Sequence, residues 1–184
     1  MPRTNGNGKP HRKTESITLR VEKNIMDELR NEAEQRMESL NTLANQVLKS
    51  YVTWHKPAAK AGNYNVPKTL LTDMFEALTE EQIARITENW VRKYSKDVIL
   101  MINKEHNLES FLDGFRVWMD LSGFQYTHQQ DGVFEAYVIR FDMGKKFNYH
   151  VGKYLQFLVV EELGAKDVHL EITDFTVMFR FRRE

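Results

Sequence analysis

Ser16-Ile17-Thr18-Leu19-Arg20-Val21 alternates polar and apolar side chains without a break, between a basic Gly- and Asn-rich arm and two amphipathic helical patterns. A period of two puts Ile17, Leu19 and Val21 on one face of a strand and Ser16, Thr18 and Arg20 on the other. No further clear strand pattern follows until Phe124, and even an isolated two-stranded hairpin is marginal in water. The strand is therefore expected to pair with its copy in a second chain.

On its N-terminal side, residues 1–15 combine Pro, Gly, Asn and Thr with basic side chains and show no periodicity, as expected of a flexible arm. On its C-terminal side, Ile25, Leu29, Ala33 and Met37 recur every four residues, with Met26 beside them, and predict an amphipathic helix from Lys23 to Met37. Glu38-Ser39-Leu40-Asn41-Thr42 interrupts it without a proline, and Asn41 is a good N-cap for a second helix. There Leu43, Val47, Leu48, Tyr51 and Val52 form the apolar stripe, which runs toward Trp54 and is expected to end before Lys56-Pro57. One strand and two helices are too few to bury these apolar faces, so the elements call for a second copy.

In element order, element length and apolar spacing, Ser16 to Trp54 resembles the ribbon-helix-helix DNA-binding proteins of the MetJ/Arc type. The resemblance implies a homodimer in which two strands form an antiparallel ribbon, the helices wrap around it, and the ribbon enters the major groove of double-stranded DNA. It implies that Ser16, Thr18 and Arg20 meet base edges, and that Asn41 and Thr42 offer backbone amides to a phosphate. A ribbon fits that groove, Arg suits guanine O6 and N7, and hydroxyls serve several bases; a helix N-terminus with free N–H groups suits an anion. The family commonly carries Gly between the helices. This chain has Ser39 there, for which left-handed backbone is unfavourable.

Charge distribution agrees with a phosphate-facing arm. The 184 residues carry 26 basic and 26 acidic side chains, yet Arg3, Lys9, Arg12, Lys13 and Arg20 face Glu15 alone in the first twenty. Lys9, Arg12 and Lys13 are the expected phosphate contacts. With 41% apolar residues and 11% aromatics the chain is globular in character. The absence of cysteine excludes disulfides, thiolate chemistry and iron–sulfur clusters. No run is long enough for a membrane span and no apolar segment follows the basic N-terminus, so a cytoplasmic protein is expected.

Residues 57–67, with Pro57, Gly62 and Pro67, read as a linker between a 16–56 DNA-binding domain and a 68–184 domain. In the latter, Thr69 to Leu78 suggests a short helix, and Thr79-Glu80-Glu81-Gln82 spells a capping box for a helix with Ile83, Ile86, Trp90 and Tyr94 inward. Val98 to Ile102 is apolar throughout, and its helical neighbours favour a helix. Glu109 to Leu121 places Phe111, Leu112, Phe115, Trp118 and Met119 on one face. Two strands, Phe124–Gln129 and Val133–Phe141, flank Gln130-Asp131-Gly132 as a hairpin. A helix from Lys145 to Leu163 ends at Gly164, and alternation at Val168, Leu170 and Ile172 and at Phe175, Val177, Phe179 and Phe181 predicts two last strands. The fold class is α+β: a dimeric ribbon-helix-helix unit, then helices followed by ββαββ.

Chemical signals in this second domain are sparse. His128, His150 and His169 lack ligand spacing, so no metal or other cofactor is expected. The aromatic crowd between Phe111 and Phe157 suits either a core or a pocket for a small apolar ligand. Glu135, Asp142, Tyr149 and His150 are the residue types of an acid–base site. Without a nucleophile elbow, phosphate loop or metalloprotease motif, the chain is not expected to be an enzyme. Lys145, Lys146, Arg180, Arg182 and Arg183 are candidates for a second basic patch, and Gly152 in mid-helix suggests close packing. The expectation is a DNA-binding transcriptional regulator, its C-terminal domain sensing a ligand or adding oligomer contacts. The alternative is an antitoxin-like protein whose C-terminal part binds a protein partner.

Overall fold

The computed structural model describes residues 14–183, which divide into two compact units meeting in sequence at Val47/Leu48. In the first, residues 14–22 have no regular secondary structure in the single chain, and helix α1 (Lys23–Gln35) follows. α1 ends in a tight turn in which Met37 N–H donates to Glu34 O and Glu38 N–H to Ala33 O, both at 3.0 Å. These two bonds make a Schellman motif with Met37 as its left-handed residue at φ 54°. The residue needing left-handed backbone is thus Met37 and not Ser39. Met37, expected on the apolar stripe, is 95% exposed.

Helix α2 (Leu40–Ser50) starts before the expected Asn41. Ser39 is its cap: its Oγ accepts from Thr42 N–H at 3.0 Å, and its carbonyl takes the first helical bond from Leu43 N–H. Asn41 lies in the first turn instead. Helical residues then run on through a π-turn (Tyr51–His55) into α3 (Lys56–Lys60), so neither the expected helix end before Lys56 nor a linker beginning at Pro57 holds. A wider i→i+5 turn relieves the clash of the proline ring with the carbonyl four residues back. Ala58 is buried, and α3 packs on a later helix, α6 (Lys96–Asn103).

Within the second unit, α4 (Lys68–Glu76) leads to α5 (Glu80–Trp90), which starts with the expected capping box: Thr79 Oγ1 accepts from Gln82 N–H, and Gln82 Oε1 accepts from Thr79 N–H at 2.8 Å. A π-turn (Val91–Ser95) joins α5 to α6, so residues 80–103 are helical throughout. Their buried positions are Ile83, Thr87, Val91, Ser95 and Ile99. Strict four-residue spacing drifts around a 3.6-residue helix, and the wide turn brings the row back onto one face. Expected inward residues Ile86, Trp90 and Tyr94 are instead 52%, 39% and 46% exposed. The polar members of the buried row satisfy themselves: Thr87 Oγ1 donates to Ile83 O at 2.7 Å and Ser95 Oγ to Val91 O at 2.6 Å.

Helix α7 (Leu108–Leu121) precedes the hairpin β1 (Gln125–Asp131) and β2 (Phe134–Arg140), turned at Gly132 with φ 58°. Helix α8 (Gly144–Leu155) continues as a π-helical stretch (Gln156–Glu162), then β3 (Lys166–Ile172) and β4 (Val177–Arg182) complete an antiparallel sheet of order β1-β2-β4-β3. The α+β class and the ββαββ order match the expectation. Phe175 does not join the last strand; it lies in the Thr173–Thr176 turn, 74% exposed.

One face of the sheet, carrying Tyr137, Ile139, Val177, Phe179 and Phe181, meets the apolar sides of α7 and α8. α8 packs on β3 and β4, and α5 lies on its other side. Gly152 permits the close approach: a Cβ there would stand 2.2 Å from Ile172 Cδ1. The aromatic crowd is spent on this core, with Phe124–Phe141, Phe141–Phe147 and Phe75–Phe147 centroids 4.9, 5.4 and 5.3 Å apart. Among the described residues no helix is long and apolar enough to cross a membrane.

Candidate nucleic-acid interface

Ser16, Thr18 and Arg20 are exposed, and so are Ile17 (73%), Leu19 (58%) and Val21 (37%). Both faces of the alternating stretch are therefore solvated in one chain. Ile25 and Val47 of the helices behind it are about half exposed as well. Lys9, Arg12 and Lys13 lie outside the described residues.

At the N-terminus of α2, Asn41 and Thr42 are exposed in the first turn. Thr42 N–H is already engaged by Ser39 Oγ, and the two hydroxyls lie 2.8 Å apart. Asn41 accepts from Asn45 Nδ2 through its carbonyl at 2.8 Å and its Oδ1 at 3.2 Å. Gln46 Nε2 reaches back to Glu38 Oε2 at 2.7 Å and ties α2 to the Schellman turn. A phosphate arriving here meets the positive end of the helix, and competes with Ser39 for the Thr42 amide.

In the second unit the structure separates the acid–base residues that the sequence suggested. Asp142 is exposed and pairs with Arg140 at 2.9 Å. His150 sits under α5 with Nδ1 2.8 Å from Thr87 Oγ1, and burial pushes it down to about 4. Tyr149 lies beneath the Lys153 ammonium. Glu135 is buried at one end of the sheet, where Arg183 Nε reaches Oε1 at 2.8 Å, while His128 Nε2 and the Tyr137 hydroxyl reach Oε2 at 3.2 and 3.3 Å. Burial, opposed by the neighbouring Arg116 charge and helped by Glu135, pushes the Tyr137 phenol up to about 12. Arg116 Nη1 donates to that phenol at 3.1 Å and also pairs with Asp113. Sequence reasoning missed this network because the two arginines, Arg116 and Arg183, reach the Glu135–Tyr137 pair from far along the chain. The buried polar position of Glu135 amid inward-facing β2 residues was its one local signal.

The basic residues weighed as a second patch are dispersed, in keeping with the ordinary alternation of a half-exposed strand. Lys146 Nζ donates to Glu76 O and Leu78 O, Lys145 and Arg182 pair with Asp174 and Asp167, Arg180 covers the Phe134 ring, and Arg183 holds Glu135. Among the described residues no His, Asp and Glu group is placed to hold a metal ion. Compared with protein-family models, curated proteins and solved structures, the chain matches none.

Proposed function

We propose that this protein is a homodimeric, sequence-specific DNA-binding regulator of the ribbon-helix-helix type. The observation that carries the reading is the alternating stretch Ser16–Val21, whose apolar face stays exposed among the described residues and which leads directly into α1, a Schellman turn and a Ser39-capped α2. Pairing two such strands removes Ile17, Leu19 and Val21 from water on one side and presents Ser16, Thr18 and Arg20 on the other. The ribbon then enters the major groove and the basic arm neutralises phosphates. The unit from Leu48 onward has a core of its own, which supports a sensing or oligomerising role over a tail that folds only on a partner.

Selection of bound duplexes from a random pool tests the reading, and a palindrome is the expected product. Thr18→Ala should relax base preference more than total affinity. Lys13→Ala should weaken all sequences alike and lower the salt slope by about one. Failure of both variants to alter binding to any DNA refutes the reading.

A further inference from the structure

Of the sheet's two edges, one is guarded and the other is open. On β3 the pairing with β4 shifts register between Lys166 and His169, Asp167 takes φ 53°, and α8 with its π-helical stretch packs against the strand. Irregular register, charged side chains and a covering helix keep an edge from pairing further. β1 runs in unbroken register with β2, carries no proline, Lys, Arg or Glu, and has one Asp, at its end. The sheet's hydrogen bonds fix which groups β1 leaves free. Arg183 N–H donates to Val133 O while Phe134 lies opposite Arg182, so in β2 the odd-numbered residues bond to β4 and the even-numbered ones to β1. Their β1 partners are Gln125, Thr127, Gln129 and Asp131. The backbone N–H and C=O groups of Tyr126, His128 and Gln130 therefore point outward from the edge, and they have no partner among the described residues.

We infer that β1 pairs antiparallel with β1 of a second copy, about a two-fold axis at His128, and joins the two sheets edge to edge. That register engages all three free residues: Tyr126 faces Gln130 of the other copy, His128 faces His128, and each facing pair exchanges two backbone bonds. Side chains on the strand agree with this occupant. Thr127 and Gln129 cross as a neutral pair. Asp131 comes opposite Gln125, whose neighbour on β2 is the exposed Arg140, so the strand's one acid approaches the other copy's cation at both ends. At the axis each His128 ring stays on its own chain, stacked 4.5 Å from Tyr137 and held by Glu135. A strand from an unrelated protein would bring a new edge of its own. The self-pairing consumes both open edges, and the joined sheet ends on a guarded β3 at either side, which closes the assembly. Two paired strands bury less than the roughly 800 Å² per partner of a stable independent interface. The inference therefore rests on the ribbon reading for its strength: chains already joined at their N-termini meet at an effective concentration of the order of millimolar.

The chain contains no cysteine, so introduced thiols report directly. Full-length chains carrying Gln125→Cys, co-expressed with full-length chains carrying Asp131→Cys, should form a covalent heterodimer under mild oxidation. Either variant alone should not, because like positions lie ~20 Å apart along the paired strands. Gln130→Pro removes one outward N–H and no bond to β2, and should cut the yield about ten-fold. Thr127→Lys/Gln129→Lys, on the solvent face of β1, sets like charges across the axis and should do the same without touching the core. Thr18→Cys, placed across the ribbon, runs in parallel. Cross-linking through position 18 with none between positions 125 and 131 overturns this inference and leaves the ribbon reading standing. The reverse result supports the edge pair and removes the ribbon. Cross-linking by either variant alone, or a yield indifferent to both the proline and the lysines, also overturns it.

Discussion

Between Thr14 and Val47 the chain buries only Ala33 and Leu43 among its apolar side chains, whereas the unit from Leu48 onward closes an aromatic core around Tyr137, Phe141, Phe179 and Phe181. Both regions carry regular apolar patterning. In the second, the sheet supplies a face on which α7 and α8 lay their stripes, so patterning becomes burial within one chain. In the first, the strand residues that would supply that face remain in water. A shortage of elements, and not of hydrophobicity, separates the two regions. The first region should then gain stability with protein concentration, the second should not, and variants confined to either region test the division.

The largest effect is expected at Glu135. Its carboxylate is buried, and Arg183 is the permanent cation against it. Arg183→Ala should cost the second unit about 3 kcal/mol, because it leaves a buried charge with only His128 and Tyr137. Glu135→Gln added to Arg183→Ala should recover most of that loss in urea titrations. By contrast, breaking the half-exposed Arg182–Asp167 pair, 3.1 Å apart, should cost under about 1 kcal/mol. An Arg183→Ala loss as small as that would place the unit's stability outside this network.

His150 sharpens the same point through pH. Its ring is held down to about 4 by burial, while the unfolded chain takes up its proton near the ordinary value of about 6.5. The unfolded state binds more protons between these values, so this residue's contribution is intact above about pH 6.5 and declines as pH falls. By about pH 4 the loss should be of the order of 3 kcal/mol. The difference in stability between wild type and His150→Gln, measured from pH 7 to 4, isolates this slope from the carboxylates. No change in that difference across the range would mean that the ring is charged in the folded unit.

These two residues also mark how far the sequence could be read. Elements whose signals are local were legible: the Thr79/Gln82 capping box, the hairpin at Gly132, the close approach at Gly152 and the ββαββ order. Choices between equivalent patterns were not. Ile86, Trp90 and Tyr94 have the same four-residue spacing as Ile83, Thr87 and Val91, and the apolar set looked like the core. The hydroxyls won the buried face because each donates to a carbonyl in its own helix, which no hydrophobic count registers. Pro57 read as a helix end because the π-turn before it is invisible to propensity. In the candidate interface, the residues that position α2 were shifted, with Ser39 as the cap and Met37 in the left-handed turn. The chemistry expected of Ser16, Thr18 and Arg20 depends on a second chain.

A smaller effect tests whether the second unit is tightly closed. Gly152→Ala adds a methyl group 2.2 Å from Ile172 Cδ1, and overpacking of this kind costs about 1–3 kcal/mol against a gain of about 1 kcal/mol in helix propensity. Gly152→Ala should therefore be destabilising by roughly 1 kcal/mol, and Ile172→Val should relieve much of it. Additive losses in the double variant would show that α8 shifts away from β3 instead of pressing on it.

The smallest effect belongs to the first region. Met37 holds φ 54° in the Schellman turn and is 95% exposed, so its side chain adds strain without packing. Left-handed backbone costs a residue with a Cβ about 1 kcal/mol, part of which glycine returns as unfolded-chain entropy. Met37→Gly should then stabilise the N-terminal unit by about 0.5 kcal/mol. If that unit is completed by a second copy, its unfolding midpoint rises with protein concentration in wild type and variant alike. The substitution should raise both curves by the same amount and leave their slope unchanged, because Met37 lies in the turn and not on the strand face. A changed slope would place Met37 in the contact between chains, and a midpoint independent of concentration would show that residues 14–47 fold without a partner.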